Sequence, residues 1–260
     1  TRATDNKTLV ESDVMINNAI VRLEYVYDKT RQGGTNILYG TRYKVFGEYY
    51  TPIENLDLNL VVLGFDYRSY IQLHKTLVWA NRFAGSTSFG SQRLIYYMGG
   101  VDNWMNAKFN TNIQVDPEQE FAYQTLATSM RGFSQNIRNG NNFFVWNSEL
   151  RFPPFQYFSR VPVKSPFWNN FMMVGFFDMG TAWTGSNPFS ENNALFKSSI
   201  YRNPVEVTII NQDDPVVAGY GFGFRSQVLG YYMRADWAWG IENIRVHDKS
   251  VFYFSLGLDF

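Results

Sequence analysis

The residues able to do chemistry are few. The 260-residue chain holds no cysteine and only two histidines, His74 and His247, far apart in sequence. Disulfides, thiolate catalysis and cysteine-ligated zinc are therefore excluded together. A histidine-based metal site is not expected either, and both rings read as polar positions near strand ends. A hydrolase would need a Ser-His-carboxylate or similar set, and neither histidine sits in a recognisable partner motif. The chain accordingly reads as non-enzymatic, with no cofactor and no metal. What remains is charge pairing. In "SMRGF", Ser129 to Phe133, one arginine lies between a methionine and a Gly-Phe pair, with no helix-like pattern around it.

Aromatic residues make up 18% of the chain and charged residues only 18%. A soluble domain ordinarily carries more charge, about a quarter of its residues. Lys+Arg and Asp+Glu stand at 23 each, so no basic surplus points to nucleic acid. No apolar run reaches the roughly 18 residues that a membrane helix requires. The opening "TRATDNKTLV" is not a basic-then-apolar signal sequence, so an exported protein would have this chain as its mature product or as part of something longer.

The elements that must position any charge pair repeat with a period of two. In "VFYFSLGLDF", Phe252, Phe254, Leu256, Leu258 and Phe260 alternate with Tyr253, Ser255, Gly257 and Asp259. "YYMRADWAWGI" sets Tyr231, Met233, Ala235, Trp237, Trp239 and Ile241 against Tyr232, Arg234, Asp236, Ala238 and Gly240. "AGYGFGFRSQ" sets Tyr220, Phe222 and Phe224 against three glycines, Arg225 and Gln227. "NFFVWNSELRF" sets Phe144, Trp146, Leu150 and Phe152 against Asn147, Glu149 and Arg151, and "VRLEYVYD" sets Val21, Leu23, Tyr25 and Tyr27 against Arg22, Glu24 and Asp28. About ten such runs start near residues 17, 41, 56, 76, 92, 142, 171, 216, 231 and 251. Most connections are short. The exceptions are Val101 to Asn141, "TGSNPFSENNALFKSSIYRNP" and, to a lesser degree, "FQYFSRVPVKSPFWNN".

A soluble sandwich also alternates, packing its apolar faces together and wetting the polar ones. Two features favour a transmembrane barrel. The apolar faces crowd Trp, Tyr and Phe near strand ends, as an interfacial girdle does, and the runs reach the roughly 9–11 residues that cross a bilayer when tilted. The opposite faces mix both charge signs with glycine, which suits an enclosed polar interior. In hydrocarbon such a sheet must close, because an unpaired edge strands backbone groups. No repeat, low-complexity tract or linker divides the chain, so it reads as one domain.

The motifs, taken in order, resemble the Omp85 superfamily, the outer-membrane barrels that insert or export other proteins. "SMRGF" resembles the family's Arg-Gly-Phe loop motif, and "GFFDMGTAW" its Phe-x-Asp-x-Gly strand, matched by Phe176, Asp178 and Gly180. "YYMGGVDNW" is similar to the aromatic Leu-Gly-Gly strand before the long loop, with Met98 in place of leucine. "NSELRF" is similar to the strand after that loop, and "FYFSLGLDF" to the terminal signal strand carrying Phe252, Phe254, Leu256, Leu258 and Phe260. The resemblance implies that the long loop enters the barrel lumen, that Arg131 is its hook with Gly132 and Phe133 beside it, and that Glu149 and Asp178 on the inner wall receive it. Gly219, Gly221 and Gly223 either leave room for the loop or let their strand bend.

Family barrels have sixteen strands. "VYDKTRQGGTNILYGTRYKVFGEYYTP" resembles the mid-barrel hairpin, so residues 1–260 are expected to form the carboxy-terminal portion of a single barrel domain, roughly its last ten strands. By resemblance the function is BamA-like assembly or translocation of proteins at the bacterial outer membrane through a lateral seam. The alternative is a structural or docking barrel that anchors a periplasmic domain or a secretion assembly. Expected partners are outer-membrane lipids including lipopolysaccharide, client outer-membrane or secreted proteins, and lipoproteins or periplasmic subunits.

Overall fold

The computed structural model of the chain describes residues 17–53, 58–111, 113, 115, 121–159, 164–190, 193, 197–202, 205–210 and 213–257. Leu258 and Phe260 of the expected terminal strand lie outside them. The fold is all-β and antiparallel. Its first strands are β1 (Asn18–Asp28), β2 (Arg31–Gly34), β3 (Ile37–Pro52), β4 (Leu60–His74) and β5 (Leu77–Gly90). An insertion then carries β6 (Arg93–Met98), β7 (Phe121–Leu126) and β8 (Arg138–Gly140) before β9 (Asn142–Phe152). Two short helices, α1 (Pro154–Phe158) and α2 (Pro166–Asn169), lead to β10 (Met172–Trp183). The hairpin β11 (Lys197–Arg202) and β12 (Val205–Ile210) precedes β13 (Val217–Val228), β14 (Tyr231–Glu242), β15 (Arg245–Val246) and β16 (Val251–Leu256).

One sheet of eleven strands forms a wall in the order β1-β3-β4-β5-β9-β10-β13-β14, with β15 and β16 on β14 and β2 on β3. Sequential long strands pair as neighbours, so each connection only has to turn the chain back. In two of the two-residue turns both residues adopt the positive φ of a tight hairpin that matches the strands' twist: Leu229 and Gly230 between β13 and β14, Asn243 and Ile244 between β14 and β15. Among the described residues β1 and β16 are the edges of the sheet and do not pair with each other.

Alternation becomes burial because one face of the wall is covered. Along β14, and along β10 as far as Gly180, every second residue is buried and the intervening ones are partly or fully exposed. The pattern fades in β1, an edge strand whose two faces are both open among the described residues. Strands β5 and β9 pair directly, Thr87 opposite Asn142, so residues 91–141 are an insertion into one hairpin. That insertion is the cover: Leu94, Met98, Met130, Phe133 and Ile137 pack with Leu60, Val62, Ala84, Phe143 and Val145 of the wall in one apolar cluster. Among the described residues no second large sheet faces the wall, and the rings of the other face, such as Phe65, Phe144 and Phe222, stay exposed. Burial of this apolar surface holds the insertion against the sheet.

One expectation changes. The run starting near residue 92 is a strand, β6, but it does not join the wall; it pairs in parallel with β7 and antiparallel with β8 inside the insertion. Leu94, Ile95, Tyr96 and Met98 are all buried there, so a run with apolar residues on both faces marks an element covered on both faces. The longer connection before β10 holds two helical turns, and within the connection after β10 Lys197–Arg202 is half of a hairpin. In an antiparallel order, the connections β4–β5, β9–β10 and β13–β14 share one end of the wall, while β5–β9 and β10–β13 share the other. The two longest insertions thus sit at one end, and the helical connection is the exception at the tight-turn end.

Candidate functional site

The covered face collects the charges. Register brings three strands side by side: Asp178 of β10 lies opposite Asn147 of β9 and opposite Gly219 of β13, and Phe176 lies opposite Glu149 and Gly221. The i, i+2 spacing of Phe176 and Asp178, and of Asn147, Glu149 and Arg151, puts each set on this face. Into it the insertion lowers Arg131, itself 3% exposed.

The guanidinium is held on all sides. Nε donates to Asp178 Oδ2 at 2.7 Å and Nη2 to Oδ1 at 2.8 Å, a two-pronged contact, while Nη1 donates to Glu149 Oε1 at 2.7 Å. The Arg131 backbone N–H adds a bond to Asp178 Oδ2 at 3.1 Å. Below, Cζ sits 3.6 Å from the centre of the Phe176 ring. The flat fork of arginine matches both a carboxylate edge and an aromatic face, which lysine does not. Glu149 and Asp178 are 1% and 0% exposed, so these contacts form out of bulk water and are strengthened accordingly.

The neighbouring residues of the insertion are tied as well. Asn147 Nδ2 donates to the Ser129 carbonyl at 3.0 Å, and Arg82, paired with Asp66, donates to Thr128 Oγ1 at 2.7 Å. The Tyr253 hydroxyl of β16 accepts the Gly132 N–H at 2.9 Å and donates to the Phe133 carbonyl at 2.7 Å. Gly132 has φ +106°, and a Cβ there would lie 2.9 Å from the Gly240 Cα. Phe133 is buried, edge-on to the His247 ring at 5.4 Å. Of the glycine stripe, Gly219 makes room for the loop: a Cβ would stand 1.9 Å from the Arg131 carbonyl oxygen. Gly221 accommodates the Phe176 ring and Gly223 the Asp236 carboxylate. Gly180 opens space for Met98 of β6.

Sequence reasoning missed the other cations. Glu149 also takes Arg225 of β13 at 2.6 Å and Arg151 at 2.7 Å, so one carboxylate answers three arginines. Arg151 was legible as its i+2 neighbour on one face, and Arg225 from the alternation of "GFGFRSQ"; their meeting needed the register. Also missed was the far edge of the wall. Met105 N–H donates to the Phe254 carbonyl at 3.0 Å, Asn103 Nδ2 to the Leu256 carbonyl at 3.1 Å, and Trp104 bridges to Ser255 and packs on Tyr253. Residues 103–105 therefore occupy the edge of β16 that faces away from β14. In β16, Phe252 is exposed and Tyr253 and Ser255 are buried, the faces that the alternation predicts. Together these contacts make the cluster an ion-pair network.

A single antiparallel wall with rings on one face, charges on the other and a loop clasped to the charged face fits part of a β-barrel. No described helix is long and apolar enough to cross a membrane, which leaves crossing by strands open. The sequence matches the model of the Omp85 superfamily domain over residues 17–260, and the chain belongs to that superfamily. Comparison with curated proteins gives no match.

Proposed function

We propose that this chain is the carboxy-terminal portion of a bacterial outer-membrane barrel that assembles or translocates other proteins in a BamA-like, non-enzymatic way. The family match over residues 17–260 carries this reading. The charged face is then the lumen wall, and the Arg131 clasp, with Gly132 and Phe133, keeps the long loop inside. The work is physical: strand β16 offers one side of a seam, and a client adds a strand there. Clients, lipoproteins or periplasmic subunits, and lipids including lipopolysaccharide are the partners this implies.

One observation favours the second reading, a docking barrel that opens for no client. Residues 103–105 sit on the outer edge of β16, where a client strand would have to pair. A photocrosslinking residue at Phe252, exposed beside that edge, separates the two. Capture of nascent outer-membrane barrels supports assembly. Capture of only fixed subunits, with full client assembly after Arg131→Ala, removes the assembly reading in favour of docking.

A further inference from the structure

The connection between β9 and β10 lies at the end of the wall where its neighbours turn in two residues, yet it carries two helical turns, α1 and α2. Its polar groups point back to the wall. Tyr157 hydroxyl meets His74 Nδ1 at 2.7 Å, Ser226 Oγ donates to the Phe167 carbonyl at 2.6 Å, and Asn170 Nδ2 donates to Gln227 Oε1 at 2.9 Å. Its rings point away: Phe158 is 74% exposed, and Trp168 and Phe167 are exposed too.

Those rings continue the outer face of the wall. Phe252, Trp237, Phe222 and Phe224 touch in series across β16, β14 and β13, and Phe171 stacks on Phe224 at 5.9 Å. Phe155 and Trp168 extend the series into both helices. Charge agrees with the position. Between Arg151 and Asp178 the sequence has Arg160 and Lys164 and no acidic residue, and the Lys75 ammonium lies 5.1 Å from the Tyr157 ring.

We propose that the α1–α2 segment lies in the plane of the bilayer interface at the tight-turn end and anchors the wall by seating Phe158, Phe167 and Trp168 among phospholipid headgroups and the upper acyl chains. The inference rests on the membrane-barrel reading. Aromatic rings with one wet and one apolar side, flanked by cations, partition to that layer, where phosphates complement the positive charge.

Residues 1–260 contain no cysteine, so with any cysteine elsewhere in the protein replaced by serine, Phe158→Cys labels uniquely with an environment-sensitive fluorophore, and Val45→Cys, exposed in mid-β3, reports on the wall. Both variants of the full protein are reconstituted in phosphatidylcholine–phosphatidylglycerol vesicles holding lipids spin-labelled either just below the headgroup or near the chain end. The expected result is a blue-shifted label at 158 quenched more by the shallow lipid, and a label at 45 quenched more by the deep one. A label at 158 that neither lipid quenches, while the label at 45 is quenched, overturns the anchor and leaves the barrel standing; a blue shift without quenching assigns the rings to a protein partner instead and equally overturns it. Failure of both labels to be quenched overturns both readings. Should Phe158→Cys lose its heat-modifiable migration, Trp168→Cys repeats the measurement from α2.

Discussion

Replacing Arg131 by alanine removes three side-chain hydrogen bonds and one ring contact at once, but the two carboxylates do not suffer equally. Glu149 keeps Arg151 and Arg225, whereas Asp178, wholly buried, is left with the backbone N–H of residue 131. Removing one partner of a buried ion pair costs about 3–5 kcal/mol. The second arm, Asp178→Asn, keeps the shape and the Glu149 contact and loses charge from one pair, with a cost of about 1–3 kcal/mol. The double variant then costs less than the sum, with a coupling of about 2–3 kcal/mol between the two sites. Equilibrium urea unfolding in lipid vesicles, followed by tryptophan fluorescence with heat-modifiable gel migration as a second probe, reads all four corners of the cycle. Additivity within about 0.5 kcal/mol, the behaviour of independent sites, would refute the pairing. So would singles that unfold like the natural protein.

Three further outcomes follow from the same geometry. Glu149→Gln destabilises more than Asp178→Asn in the same urea titration, because it leaves Arg131, Arg151 and Arg225 facing one another; equal costs would contradict the three-way contact. Gly219→Ala brings a Cβ to 1.9 Å from the Arg131 carbonyl and releases the loop to protease, whereas Gly175→Ala on the other face, with nothing within 4 Å of its Cβ, leaves digestion unchanged. Trp104→Cys with Ser255→Cys, directly paired positions, forms a disulfide on mild oxidation, seen as a shift in non-reducing gel mobility; absence of the link would remove the 103–105 segment from the β16 edge.

Much of the wall was legible because a strand half covered and half exposed writes its orientation into every second residue. The faces of β9, β13, β14 and β16 follow from that alternation alone, and with them the inward aim of Glu149; β10 carries apolar residues on both faces, and the inward aim of Asp178 was implied by the family resemblance. The alternation does not carry register, so the convergence of Arg151 and Arg225 on Glu149 stayed hidden. Nor does it separate a wall strand from an internal one. Strand β6 alternates poorly because both its faces are buried, which is the physical mark of an element within the insertion. The helices α1 and α2 are too short for a 3.6-residue period to show, and each begins at a proline that serves equally well in a turn. The segment on the β16 edge pairs through backbone groups, which leave no trace in side-chain pattern.

The most direct test is a cryo-EM map of the protein in a lipid nanodisc. The expected density places the Arg131 side chain against the Phe176 ring, within hydrogen-bond distance of both Asp178 and Glu149, under an insertion that covers the charged face of a β-barrel wall. Density with the 128–133 segment projecting into solvent, and Asp178 paired elsewhere or facing water, would contradict it.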